Sequence, residues 1–247
     1  AVYKKDSTMS SCSCRTVLIA VYVGFCLVAR VLAADMETVP AEQVGLSTDR
    51  LDRISHQLQQ LIDKDRLAGA VTLVARRGQI AHLEAKGWQD KERQIPMRTN
   101  TLFRIASMTK PVTSVAIMML HEEGHFQLDD PVSKFIPAWK RMNVLTERDD
   151  DGDAVVPAIR PVTIHHLLTH SSGLSYQWDE QVGDDYQSRG ITHGLIEDPD
   201  TIGDTARQLG EVPLVHQPGA RFTYGLNTDV LGHLVEVISG KELDDFF

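Results

Sequence analysis

Two short apolar runs joined by a two-residue turn constrain this chain more than any other feature. Residues 70–75 (AVTLVA) read as a strand, Arg77-Gly78 as a tight turn, and residues 79–85 as a second strand. A turn that short makes the strands antiparallel neighbours, because parallel strands need a long crossover. Helical signals lie on both sides. Ser47 can cap a helix with Asp49 in its first turn, and Leu51, Ile54, Leu58, Leu61 and Ile62 keep helical spacing. After the hairpin, Val112, Val115, Ala116, Met119 and Leu120 mark a buried helical face. Residues 163–168 start a short helix, and residues 227–238 form another that stops at Ser239-Gly240. Residues 147–153 are acidic and contain glycine, which predicts a surface loop. The order is helix, hairpin, long helical region. It predicts an α+β fold with helices packed on an antiparallel sheet.

The chain has 247 residues, 42% of them hydrophobic, enough for one sizeable core. It carries 34 acidic against 25 basic residues. That balance argues against nucleic acid or an anionic membrane as the main partner, since both demand basic patches. The first 34 residues stand apart. Lys4, Lys5 and Arg15 precede an apolar run at residues 17–29, and small residues follow at 31–34. This reads as a leader and secretory signal, with Met9 as its start, and predicts a periplasmic or secreted protein. Arg30 ends the apolar run short of the roughly 20 residues a membrane helix needs, so no stable span is expected after cleavage. Cys12, Cys14 and Cys26 all fall in this leader, which leaves residues 35–247 without thiol chemistry.

Ser107-Met108-Thr109-Lys110 is an S-x-x-K tetrad. Residues three apart share a helical face, so the hydroxyl and the amine can meet. A serine hydroxyl needs a base to become a nucleophile, and a lysine can serve only if its pKa falls. Pro111 is tolerated only in a first turn, which sets the helix start near Ser107 and puts the positive end of its dipole beside both groups. The tetrad alone is common by chance, and its plain reading is a capped helix start with a surface lysine.

Its surroundings carry a resemblance. FRIASMTKPVTSVAIMMLHEEGHFQLDDPVSKFIP resembles the nucleophile helix of the serine β-lactamase-like superfamily, which includes class C β-lactamases, penicillin-binding carboxypeptidases, D-aminopeptidases and family VIII carboxylesterases. PVTIHHLLTHSSGLSY is similar to that group's LLTHTSGL signature. PGARFTYGLNTDVLGHLVEVISGKELDDFF resembles the segment with its catalytic tyrosine. The resemblance implies a β-lactamase/transpeptidase-like fold with a helical subdomain, one hydrolase domain over residues 35–247, and catalysis by Ser107, Lys110 and Tyr224. It implies no cofactor and no metal, and a small-molecule ester or amide as substrate.

Two departures refine this. The lactamases usually carry Tyr-x-Asn, whereas here Tyr224-Gly225-Leu226 is followed by Asn227 one place late. Leu226 and Asn227 are the candidate substrate-binding positions, and loss of the amide at the third place tilts the expectation toward esters. The family also continues into strands that finish its sheet and its oxyanion hole. No such motif is read here, so the chain is expected to be partial, with those C-terminal strands missing, and weak in stability and activity. A β-lactamase, a D-aminopeptidase or D,D-carboxypeptidase, and an inactive cell-wall-binding relative are the alternatives.

Three further patterns read as structural. His121-Glu122-Glu123-Gly124-His125 matches H-E-x-x-H, but Gly124 and Pro131 end the helix that a zinc site would need to continue. His166 and His170 sit beside His165 in a helix-turn, and Ser172-Gly173 forms a turn. The acidic run at 149–153 lacks a glutamate where an EF-hand requires one, since Ala158 stands there.

Overall fold

The computed structural model describes residues 38–149, 152–196 and 200–247. The leader therefore lies outside the described residues. Contacts divide the chain at Phe103–Arg104 into two compact units.

In the first unit a 3-10 turn (Ala41–Val44) leads into α1, Thr48–Asp63. Ser47 is the N-cap residue, but its side chain makes no capping bond. Glu42 does that work instead. Its carboxylate accepts from the Thr48 N–H at 3.0 Å and from the Thr48 hydroxyl at 3.1 Å. These bonds, the backbone one first, hold the Glu42 carboxyl below its ordinary range. The hairpin forms as expected, with β1 (Gly69–Arg76) antiparallel to β2 (Gln79–Asp90) in register from Gly69↔Gly87 to Arg76↔Gln79. Arg77 and Gly78 both take positive φ, 55° and 74°, the pattern whose twist matches that of the flanking strands. β2 runs five residues past its expected end and pairs with a short β3, Ile95–Pro96. Among the described residues the sheet order is β1-β2-β3.

The second unit is mainly helical: α2 (Thr109–Glu122), α3 (Ile164–Leu168), α4 (Gly183–Ser188), α5 (Ile202–Leu209), α6 (Asn227–Ser239) and α7 (Leu243–Phe246). α6 packs against α2 and α5. That neighbour rotates the buried face of α2 away from expectation. Thr113, Ala116, Ile117 and Leu120 are buried, while Val112, Val115 and Met119 are exposed. The two stripes share Ala116 and Leu120, and periodicity alone does not separate them. α2 stops at Glu122, with Gly124 at φ 83°, so His125 falls outside the helix that holds His121. His121 pairs through Nδ1 with the Phe126 carbonyl at 3.0 Å.

The acidic stretch is a β-hairpin, not a loop. β4 (Asn143–Asp149) pairs antiparallel with β5 (Gly152–Pro157), and only residues 150–151 lie outside the described residues. Val144, Leu145, Val155 and Val156 supply the strand-forming residues. Val144 and Leu145 are buried, and the Leu145 N–H donates to the Leu214 carbonyl at 2.9 Å. α6 ends as the sequence predicts, at Gly240 in the left-handed region (φ 73°).

The core of this unit gathers Ile117, Trp139, Leu167, Tyr186, Leu214 and Leu234. Trp139 donates its indole N–H to the Ala206 carbonyl at 2.8 Å, which ties the 3-10 turn Pro137–Lys140 to α5. Ile117→Ala should cost about 2–5 kcal/mol through lost burial and a residual cavity. Trp139→Phe should cost about 1–3 kcal/mol by leaving a buried carbonyl unpaired. Urea denaturation of each variant measures both.

Candidate active site

Ser107 sits in a 3-10 turn (Ala106–Met108) that runs directly into α2. Pro111 is the third residue of that helix, where its missing N–H costs nothing. Lys110, one residue earlier, points back toward the turn, and its Nζ donates to Ser107 Oγ at 3.3 Å. Ala106, just before the serine, holds φ 46°, a left-handed conformation that non-glycine residues adopt at a cost of order 1–3 kcal/mol.

Tyr224 arrives from the segment before α6. Its hydroxyl donates to Ser107 Oγ at 2.9 Å, and Lys110 Nζ lies 5.0 Å from the centre of its ring. The structure thus brings Ser107, Lys110 and Tyr224 together. It does not bring Leu226 and Asn227 into the pocket. Leu226 is 2% exposed and belongs to the core, and Asn227 is fully buried. The reason is geometric: the chain turns into α6 at this point, and both side chains face inward.

Asn227 has a different task. Its Oδ1 accepts from Ser172 Oγ at 2.5 Å, and its Nδ2 donates to His170 Nδ1 at 3.0 Å. His170, itself at φ 52°, lies 5.0 Å from the Tyr224 ring. The backbone repeats the link. The Thr223 N–H donates to the His170 carbonyl at 2.8 Å, and the Leu226 N–H to the Ser175 carbonyl at 3.3 Å. Gly225 allows this approach, because a Cβ there would stand 2.5 Å from the Leu174 carbonyl oxygen. The loop at 170–175 and the tyrosine segment therefore hold each other.

Charge distribution assigns the protons. Burial lowers the Lys110 pKa, but hydrogen bonding and charge interaction with Tyr224 and Tyr176 outweigh it, and the net shift is upward. This favours the charged form of Lys110, contrary to the expectation that its pKa falls. Tyr224 moves the other way. Hydrogen bonding with Ser107 and then with Lys110 draws its phenol below the ordinary value. Burial and the nearby Lys110 charge lower His170, which leaves Nδ1 free to accept from Asn227.

The pocket, a cavity of about 510 Å³, is lined by Ser107, Lys110 and Tyr224 together with Thr113, Tyr176 and Asp229. Tyr176 and Asp229 fall inside the resembling segments 161–176 and 218–247, but no local pattern marks either as a site residue. Tyr176 packs 5.7 Å from Tyr224, and burial raises its phenol pKa. Asp229 occupies the first turn of α6, and burial raises its carboxyl pKa despite Lys110. Tyr176-Gln177-Trp178 places two aromatics almost adjacent in a chain with 6% aromatic residues. Among the described residues, no group of three or more His, Cys, Asp or Glu is placed to hold a metal ion.

The profile of the beta-lactamase family matches residues 54–247. The esterase EstB of Burkholderia gladioli is 39% identical over 194 residues, which is 78% of this chain and 46% of that protein. The solved structure of EstCE1, described as a hydrolase with promiscuous acyltransferase activity, superposes with a TM-score of 0.69 at 34% identity, over 79% of this chain and 49% of the other. An octameric penicillin-binding protein homologue from Pyrococcus abyssi gives a TM-score of 0.58 at 28% identity, over 79% of this chain and 41% of the other. The fold is the β-lactamase/transpeptidase-like α+β fold, and the chain spans about half the length of the relatives it matches.

Asn227→Ala should destabilise the protein by about 1–3 kcal/mol, because Ser172 and His170 lose a buried partner. The lowered His170 pKa has a definite sign. Its contribution to stability is present above the unfolded value of 6.5 and is lost as pH falls through the lower folded value. Melting temperature should therefore decline as pH drops below 6.5, and His170→Gln should remove its share of that decline.

Proposed function

Because the chain belongs to the beta-lactamase family, we propose that the protein is a serine hydrolase that cleaves carboxylic esters through an acyl-enzyme. The observation that carries this reading is the convergence of two groups on one oxygen: Lys110 Nζ and the Tyr224 hydroxyl both reach Ser107 Oγ. The depressed phenol of Tyr224 is the base and Lys110 is the cation that stabilises its anion. Tyr224 phenolate takes the serine proton as Oγ bonds to the ester carbonyl carbon. The tetrahedral intermediate collapses, the carbon–oxygen bond to the alcohol breaks, and Tyr224 returns the proton to the leaving alkoxide. Water then repeats the sequence on the acyl-enzyme, its proton passing to Tyr224 and from there to Ser107.

Leu226 favours an ester over a lactam. It is apolar and buried, so that position offers no amide to a substrate's amide group. An alcohol in place of water would make the protein an acyltransferase with the same groups, a reading supported by the activity ascribed to EstCE1. The charged and apolar pattern of residues 1–34 supports export, and a mature N-terminus near residue 35 is the expected mass-spectrometric result.

Ser107→Ala should abolish turnover of short-chain p-nitrophenyl esters and labelling by a fluorophosphonate, while Tyr224→Phe should lower kcat/KM by about 10²–10⁴-fold. Retained labelling in Ser107→Ala, or cephalosporin turnover above ester turnover, would overturn the reading. The active form holds Tyr224 deprotonated and Lys110 protonated. The rate should rise with pH through a Tyr224 pKa below 10 and fall only through a Lys110 pKa above 10.5. A kcat/KM profile that falls between pH 7 and 9 would contradict this assignment.

A further inference from the structure

Besides Ser107, Lys110, Tyr224 and Asp229, the pocket is lined by Ile105, Trp178, His193 and Leu195. Trp178 is 63% exposed, although a tryptophan normally buries most of its large apolar surface. It is held firmly all the same. Its ring stacks on Tyr176 at 4.4 Å and 14°, and His193 approaches it at 5.8 Å and 46°. Tyr176 is buried beneath it and contacts Tyr224 in turn. The exposed indole is therefore two ring contacts from the tyrosine that touches Ser107. His193 is fixed as well, since its Nδ1 accepts the Leu195 N–H at 3.1 Å, and the Leu195 carbonyl accepts from Arg104 at 3.1 Å. A solvent-facing aromatic surface beside a nucleophile gains by covering itself, and stacked or edge-on aromatic partners gain more than aliphatic ones of equal area.

We infer that Trp178, with His193 beside it, forms a subsite for an aromatic ring of the substrate, so that aryl-bearing esters are the preferred class. This rests on the hydrolase reading given above. The ring packs on the exposed indole while the ester carbonyl reaches Ser107.

Two matched pairs test it in the full chain. Benzyl acetate and cyclohexylmethyl acetate differ in aromaticity on the alcohol side. Ethyl phenylacetate and ethyl cyclohexylacetate differ on the acyl side. In at least one pair the wild type should favour the aromatic ester. Trp178→Ala should lower that preference by roughly 3- to 10-fold, through KM with kcat nearly unchanged, and Trp178→Phe should retain it. The cyclohexyl partner of the pair should lose little, whereas a tryptophan that merely positioned Tyr176 would slow both esters equally. No preference in either pair, or a preference untouched by Trp178→Ala, overturns the inference. A binding measurement separates its failure from that of the hydrolase reading. In Ser107→Ala, benzyl acetate or ethyl phenylacetate should quench tryptophan fluorescence more than its cyclohexyl partner, and Trp178→Phe in the same background should abolish the difference. Quenching with persistent turnover sinks only the assignment of Ser107. Equal quenching by both esters sinks the subsite.

Discussion

The buried amide of Asn227 is the constraint on which the rest of the site depends. One oxygen accepts from Ser172 and one nitrogen donates to His170, so the loop at 170–175 is locked to the start of α6, far along the chain. A buried polar group left unpaired costs more than a typical hydrogen bond contributes, so such a link is specific as well as stabilising. With α6 packed on α2, the same link sets Tyr224 against Ser107 at the head of α2. His170 and Ala106 both hold left-handed backbone, and each adjoins a reacting group. Strain of this kind persists only where the surroundings over-determine it, and the paired loops supply that determination.

Electrostatics then divides labour among three groups of similar intrinsic basicity. Lys110 lies close to two phenols, and this favours its charged form more than partial burial opposes it. The same pairing favours the anion of Tyr224, which is the more exposed of the two tyrosines, whereas burial keeps Tyr176 neutral. The more solvated phenol is thus suited to exchange protons with Ser107, and the buried one serves as packing and as a partner for Lys110. A lysine base would have required the opposite balance, with desolvation dominant.

Local signals were legible where local physics decides. The Arg77-Gly78 turn, the start of α3 at Thr163 and the stop of α6 at Gly240 each follow from a residue's own backbone preference or short side chain. The β4–β5 hairpin was not legible, because its acidic tip reads as loop and its short apolar flanks gain their strand character from Leu214 far along the chain. The buried face of α2 differs from the expected one by one stripe for a similar reason: two stripes fit its period, and the packing of α6 chooses between them.

The sequence by itself determined which side chains could meet at Ser107. Ser107 and Lys110 share a helix start, and a four-residue tetrad with a first-turn proline is enough to state that, because their spacing is a local property of the helix. It also carried Tyr224, through a motif. Only the tertiary structure decided what surrounds them. Leu226 and Asn227 leave the pocket because α6 begins there and turns them inward, and Tyr176, Asp229 and Trp178 enter it from elements that no local period connects. Whether a side chain lines a cavity depends on contacts between distant segments. Those contacts also set which phenol is solvated and hence which way its proton affinity shifts.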